Sequence, residues 1–443
     1  MKIKITNEVA NNLVSNVNPF ANKTNKIRVN IGIKELEDGL ASKLTIVDTG
    51  RMVDVGFKAT ISGKVSDEEP KTASFNLKAS QFVQTISALK EYNSDIVWDI
   101  SEKIVNFKVG KEAVIPLSVV SDEDCEPLLK TDFDCTLCKM KFGKDFFITL
   151  NRGGYIATPG ADPKGITDRV AIVLKDEKAY IYSCDGTAAS KAWCPIKLEK
   201  NTTFSALTYL RDKGNALSDA DKKTLMEKIQ LVSNDTEALI ALAKEEGYDP
   251  TKSISFALAG ASTGIIGKLF SEADVVSAIL TPQNLLLQAN NILATFALAG
   301  ECPAIYESII DKWDQLPYSS KVVVDRDDFL RSINLLKLDD SEGGINFFFK
   351  TGSLSGKKGG TVVNTKVSAN EGDVDKINTC LSGDKLSSAI TKLSGGNCLI
   401  RICVENPSTP VSISSGDLSE NISNIIYILT ISNRNEEEDQ ATE

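Results

Sequence analysis

The chain has 443 residues, 42% of them hydrophobic, and carries a formal charge of −10 without a single histidine. That length holds about two to four domains with separate cores. The missing histidine excludes Ser-His-Asp and Cys-His catalysis, imidazole acid–base chemistry and the common histidine-containing zinc sites, and the negative balance leaves only a localised basic stripe as a grip on nucleic acid. Nine scattered cysteines, an odd number, fit reduced core thiols better than a disulfide framework. The opening MKIKITNEVANN lacks the apolar stretch of a signal peptide, and no run of about 18 or more apolar residues follows. A cytoplasmic protein with no membrane partner is expected.

Along the chain, Val9 and Leu13 give a first, short helical stripe. Segment 80–118 opens with Phe82, Ile86 and Leu89 at i, i+4, i+7, which predicts one helix, and continues in short runs that predict three strands. Phe142 to Leu150 and Ile265 to Leu269 are weaker helical matches. Phe329, Ile333 and Leu336 repeat the first pattern and lead into INFFFK, and Leu386, Ile390 and Leu393 repeat it again before CLIRICV, PVSI and NIIYILTI. About six helices, each serving its own antiparallel hairpins, predict an α+β protein built by internal repetition.

Residues 205–252 break this rhythm with two or three charged helices, one capped by Ser218 and Asp219. Their apolar stripes, Leu225-Ile229-Val232 and Ala238-Leu239-Leu242, predict a small helical insertion with a core of its own. The acidic end NEEEDQATE, within 435–443, has nothing to bury and is expected to be disordered.

Chemistry-bearing motifs are sparse. Cys135-Thr-Leu-Cys138 has a metal or redox spacing but neither a second pair nor a histidine. Asp48 and Asp185 precede glycine-containing turns and read as turn residues rather than a catalytic pair. SLSGKKGG and AGASTG lack the phosphate-cradling lysine pattern. No catalytic residue, metal or cofactor is expected. The basic residues say more, because at about 100° per residue Lys141, Lys144 and Arg152 fall opposite Phe142, Phe146, Phe147 and Leu150. Lys385 and Lys392 likewise oppose Leu386 and Ile390, Arg331 opposes Phe329, and Lys268 opposes Ile265 and Leu269. With Lys23, Lys26 and Lys90 they form a DNA-facing set, whose charges add into a sequence-independent phosphate surface if the helices share one channel.

Four stretches resemble the bacterial beta sliding clamps. They are LTIVDTG, YIYSCDGTAAS, CPAIYESII and the closing TPVSI with NIIYILTISNR. The resemblance covers nearly the whole chain outside 205–252 and the tail. It implies three similar domains of paired helices and antiparallel sheets, at 1–129, 130–318 and 319–434, in a ring-forming DNA clamp fold. It further implies a non-enzymatic processivity factor, a head-to-tail homodimer that encircles double-stranded DNA, is placed by a clamp loader and tethers a DNA polymerase. The alternative is a clamp-fold interaction protein that no longer encircles DNA and acts through its insertion. Carried over by motif, the client cleft between the second and third domains comprises Cys184, Gly186, Thr187, Ala189, Ile428, Leu429 and Thr430. The family's histidine-arginine-leucine is replaced by Thr187-Ala188-Ala189, and its methionine-proline-methionine-arginine ending by Thr430-Ile431-Ser432-Asn433. These departures imply an altered cleft of the sort that would suit a phage or mobile-element clamp.

Overall fold

The computed structural model describes residues 1–37, 39–48, 50–62, 72–111, 113–130, 135–157, 167–300, 304–375, 377–403, 409–416 and 424–429, with backbone alone at 304–307. Thr430 and the acidic end lie outside the described residues.

One order of elements recurs three times. The first pass is β1 (Lys2–Ile5), α1 (Asn7–Val17), β2 (Lys26–Leu36), β3 (Gly39–Asp48), β4 (Arg51–Ile61), β5 (Ala73–Lys78), α2 (Ala79–Lys90), β6 (Ile96–Ile100), β7 (Ile104–Val109) and β8 (Ala113–Ser118). The second begins with β9 (Cys138–Gly143), α3 (Lys144–Gly154), β10 (Arg169–Lys175), β11 (Lys178–Cys184) and β12 (Ala188–Pro195). It is then interrupted by β13 (Lys197–Lys200), α4 (Thr202–Asn215), α5 (Asp219–Val232) and α6 (Thr236–Glu245). It resumes with β14 (Ile254–Ala259), α7 (Gly260–Phe270), β15 (Val275–Leu280), β16 (Asn284–Ala289) and β17 (Ile292–Ala297). After α8 (Ala304–Asp314) the third pass runs β18 (Ser320–Asp325), α9 (Arg326–Leu336), β19 (Ile345–Lys350), β20 (Ser353–Lys358), β21 (Thr361–Glu371), β22 (Asn378–Leu381), α10 (Gly383–Thr391), β23 (Asn397–Ile402), β24 (Val411–Ser415) and β25 (Asn424–Ile428).

The helices form where apolar side chains recur at helical spacing. Phe82, Ile86 and Leu89 on α2, Phe329, Ile333 and Leu336 on α9, and Leu386 and Ile390 on α10 are all buried. Oxygen-bearing caps start several of them. Thr6 accepts from the Val9 amide, Asp325 from Asp328 and Ser382 from Lys385.

The chain divides into two compact units. The first contains 1–144, 197–252 and 268–298, and the second contains 145–196, 253–267 and 299–443. The segment 130–318, expected as the middle domain, is thus shared between them. In the first unit the sheet runs β13-β9-β15-β16-β17-β4-β1-β6-β7-β8, with β2, β3 and β5 beside β4. Its core includes Trp98, whose ring centroid lies 5.1 Å from that of Phe107. In the second unit the order is β14-β10-β11-β12-β25-β24-β23-β18-β21-β20-β19-β22.

Each sheet contains the same kind of junction. The last strand of one pass lies antiparallel on the first five residues of the fourth strand of the pass before. Ile292 to Phe296 of β17 pair with Val55 to Arg51 of β4, and Asn424 to Ile428 of β25 pair with Ala192 to Ala188 of β12.

The helices α4 to α6 lie between the fourth and fifth strands of the second pass. Ser218 caps α5, accepting from the Asp221 amide, and Ala206, Leu210, Leu225, Ile229, Leu239 and Ala243 form a buried cluster of their own. The flanks lie close together, since Lys200 Nζ donates to the carbonyls of Pro250 at 3.3 Å and Lys252 at 2.9 Å. Replacing 202–249 with a short Gly-Ser linker is therefore expected to leave the melting temperature within about 5 °C of the parent, because closing a short loop costs little. Loss of the cooperative melt would mean that these helices support the main cores.

Candidate nucleic-acid helices and partner cleft

The DNA-facing candidates are dispersed by the fold. Lys144, Lys268 and Arg331 are exposed on α3, α7 and α9, while Lys90, Arg152 and Lys385 are half-buried on α2, α3 and α10. Lys392 caps α10, donating to Asn151 Oδ1 at 3.1 Å with its Nζ 5.8 Å from the Tyr155 ring centroid. Three candidates are not on helices. Lys23 lies in the loop after α1, and Lys26 opens β2 with its ammonium on the Asp124 carbonyl.

Lys141 corrects the helical projection of KFGKDFFITLNR. It lies on β9, where Cys138, Met140 and Phe142 are buried and Lys139 and Lys141 exposed. That alternation has a period of two, so the helix begins only at Lys144 and Lys141 does not share a helical face with Lys144 and Arg152.

The exposed helix faces are close to neutral. Besides the bases, they carry Glu8, Asp145, Asp327, Asp328 and Asp384. Arg331 is held by Asp328 at 3.0 Å. On α1 the outward positions Asn11, Asn12 and Ser15 are uncharged, and on α7 Ala261 and Gly264 accompany Lys268. Few phosphates can be neutralised by such faces, which makes any duplex contact weakly salt-dependent.

Both singled-out aspartates serve turns. Asp48 ends β3 opposite Arg51 of β4. Asp185 accepts from the amides of Thr187 and Ala188, each at 2.9 Å, and its other oxygen takes the Lys385 ammonium. Burial pushes the Asp185 carboxyl up, but Lys385 and these amides outweigh it and hold it below its ordinary 3.8. Gly186 has φ +88°, a conformation open to glycine at no steric cost. Burial pushes the Cys138 thiol up to about 12, which suits a core thiol rather than a redox or metal group.

The turn and the closing strand do come together. Ala188 pairs with Ile428 and Ala189 with Tyr427, and the Leu429 amide donates to the Thr187 carbonyl at 2.9 Å. Paired residues share a face, and neighbours along a strand alternate. Ala189 and Tyr427 therefore belong to one face, with Tyr182 and Ile425, while Ala188 and Ile428 belong to the core beneath α9 and α10. Ile428 is thus not a lining residue beside Ala189, and the strand's contributions to that face are Ile425, Tyr427 and the half-buried Leu429.

Sequence reasoning missed what covers the face. Ile310 of α8 is buried on it, Lys191 Nζ bridges Asp311 at 2.8 Å and Asp314 at 2.6 Å, and the Tyr427 hydroxyl donates to Asp314. The i, i+3 acids flanking Trp313 were the available signal.

No family model and no curated protein matches the chain. Solved structures do. The DNA polymerase III beta subunit of Thermotoga maritima superposes with a TM-score of 0.71 at 12% identity, covering 98% of this chain and 99% of its own. The DNA polymerase sliding clamp of Bacillus subtilis gives 0.68 at 14%, with 98% and 99% covered. The Helicobacter pylori beta clamp gives 0.70 at 13%, with 98% and 100% covered. The fold is that of the beta sliding clamps. At these identities the likeness is one of fold, and the clamp fold accounts for the thrice-repeated element order. Among the described residues no helix is long and apolar enough to cross a membrane, and no group of Cys, Asp and Glu is placed to hold a metal.

Proposed function

We propose that this protein is a DNA sliding clamp, a non-catalytic processivity factor whose copies close head to tail around duplex DNA. The observation that carries the reading is a pair of unused strand edges. The junction made by β17 on β4 and by β25 on β12 has a third set of components, β8 and the first residues of β21. Among the described strands β8 pairs only with β7, and Thr361–Lys366 of β21 pair only with β20. β17 and β25 are buried along most or all of their length, whereas β8 exposes alternate residues, and β21 begins with the same alternation.

The register of the two internal junctions, carried to the third, sets Ala113 opposite Thr365 and Leu117 opposite Thr361 of a second copy. Val114 then faces Asn364 and Pro116 faces Val362, so exposed positions meet exposed positions. Val114 and Val362 are 54% and 57% exposed, large for valines at strand positions. A heterologous contact of this kind closes a ring when the rotation permits, and two copies of a three-domain chain, divided at about 129 and 318, are the proposed ring.

In this reading the helices carrying Lys90, Lys144, Arg152, Lys268, Arg331, Lys385 and Lys392 face the duplex without reading sequence, a loader opens the ring, and a polymerase or other client docks near the 184–189 turn. The balanced charge of the helix faces favours one second reading, a clamp-fold interaction protein that does not thread DNA. One experiment separates them. The protein loaded on nicked circular DNA should stay bound through gel filtration and be lost when the circle is linearised. Equal loss from both forms would exclude topological linkage and leave the second reading.

A further inference from the structure

The face bearing Ala189 is occupied by the chain itself. α8 brings Ile310, 1% exposed, down onto Tyr182, Ala189 and Tyr427. The Trp313 ring lies 5.6 Å from that of Tyr427. Lys191, its side chain 13% exposed, is held between Asp311 and Asp314. Burial alone would depress the Lys191 ammonium, yet the two carboxylates outweigh it and leave it raised. The ion pair therefore contributes in full at neutral pH, because a raised lysine gives up its contribution only as pH climbs past its ordinary 10.5.

We propose that this face is a peptide-docking surface whose resident occupant is α8, and that the partner which displaces α8 is a short segment with the same chemistry, a buried aliphatic residue followed by an aromatic ring flanked by two carboxylates. The inference rests on the client-docking reading above and deepens it. The resident helix supplies the pattern, Ile310-Asp311-Lys312-Trp313-Asp314. Lys191 selects for acid at two positions, and the tyrosine face selects for a flat ring. A covalently attached occupant competes at millimolar effective concentration. Apparent affinity for an external segment is reduced by the fraction of time the face is open.

The test uses the full chain and a fluorescein-labelled synthetic peptide of residues 304–316. Trp313→Ala with Asp314→Asn in the chain weakens the resident helix and is expected to bind the peptide at least about tenfold more tightly than the parent. Adding Lys191→Met to that background should remove the gain. Should the double variant fail to fold by circular dichroism, Asp311→Asn alone, at a carboxylate 43% exposed, is expected to speed amide exchange over 308–314 and raise peptide affinity a few-fold. Parent and folded variant binding equally, or neither binding, would overturn the proposal. Retention on circular DNA is read separately in the same proteins, so loss of clamping and loss of peptide docking are distinguishable.

Discussion

Val114→Asp and Val362→Asp are each expected to convert the proposed ring to monomers and abolish the retention on circular DNA that it implies, while leaving the fold intact. Both side chains are exposed in the single chain, so neither change disturbs a core. In the ring Val362→Asp would set a carboxylate against Pro116 with no cation opposite, at a cost of about 2–4 kcal/mol, and Val114→Asp would set one against Asn364 with Lys366 diagonal to it, at a smaller cost. A two-copy ring has two such junctions, so the penalty counts twice. At about 1.4 kcal/mol per decade the ring dissociation constant should rise a thousandfold or more for Val362→Asp. The carried-over register gives a sharper check. Val114 and Val362 are diagonal neighbours within reach of a long side chain, so Val362→Lys should partly restore a ring carrying Val114→Asp. Val114→Cys with Asn364→Cys should crosslink between copies. A Val114→Asp protein that remains dimeric by light scattering would remove β8 from the junction.

Much of this fold was legible because much of it is local. Phe82, Ile86 and Leu89, and their counterparts on α9 and α10, are buried by a stripe that any reader of helical spacing finds. Lys141 failed because two periods meet at Gly143, and a helical projection carried across that join assigns strand residues to a helix. Ile428 failed for a related reason. Strand parity decides the face, and parity depends on which residue of β12 lies opposite, a long-range pairing no local motif contains. The free edges had one local hint, Pro116 in AVIPLS, since proline in a strand belongs at an edge. That β21 offers the matching edge emerges only when the two filled junctions are compared. The lock on α8 was hidden because Lys191 lies about 120 residues from its carboxylates.

Gly153, where α3 presses on β11, leaves no room for a side chain. A Cβ there would lie 2.7 Å from Ile181 Cγ2 and 2.8 Å from the Ile181 carbonyl oxygen. The approach is fixed from both sides. The Ser183 hydroxyl donates to the Gly153 carbonyl at 2.6 Å, and the Ser190 hydroxyl to that of Arg152 at 3.0 Å. Gly153→Ala gains about 1 kcal/mol of helix propensity, but the overlap with backbone forces α3 off the strands, an overpacking cost of about 1–3 kcal/mol before either hydroxyl contact is lost. Each lost contact adds about 1 kcal/mol more, so overlap wins. The variant should show faster amide exchange in β11 and β12, with β6 and β7 unchanged, because those strands belong to the other unit. Since α3 carries Arg152 and its strands carry the 184–189 turn, duplex retention and peptide docking should weaken together. Ile181→Ala removes the clashing methyl but leaves the carbonyl oxygen, so it should rescue Gly153→Ala only in part. An exchange pattern equal to the parent's would mean that α3 is not packed against β11 as closely as these distances require.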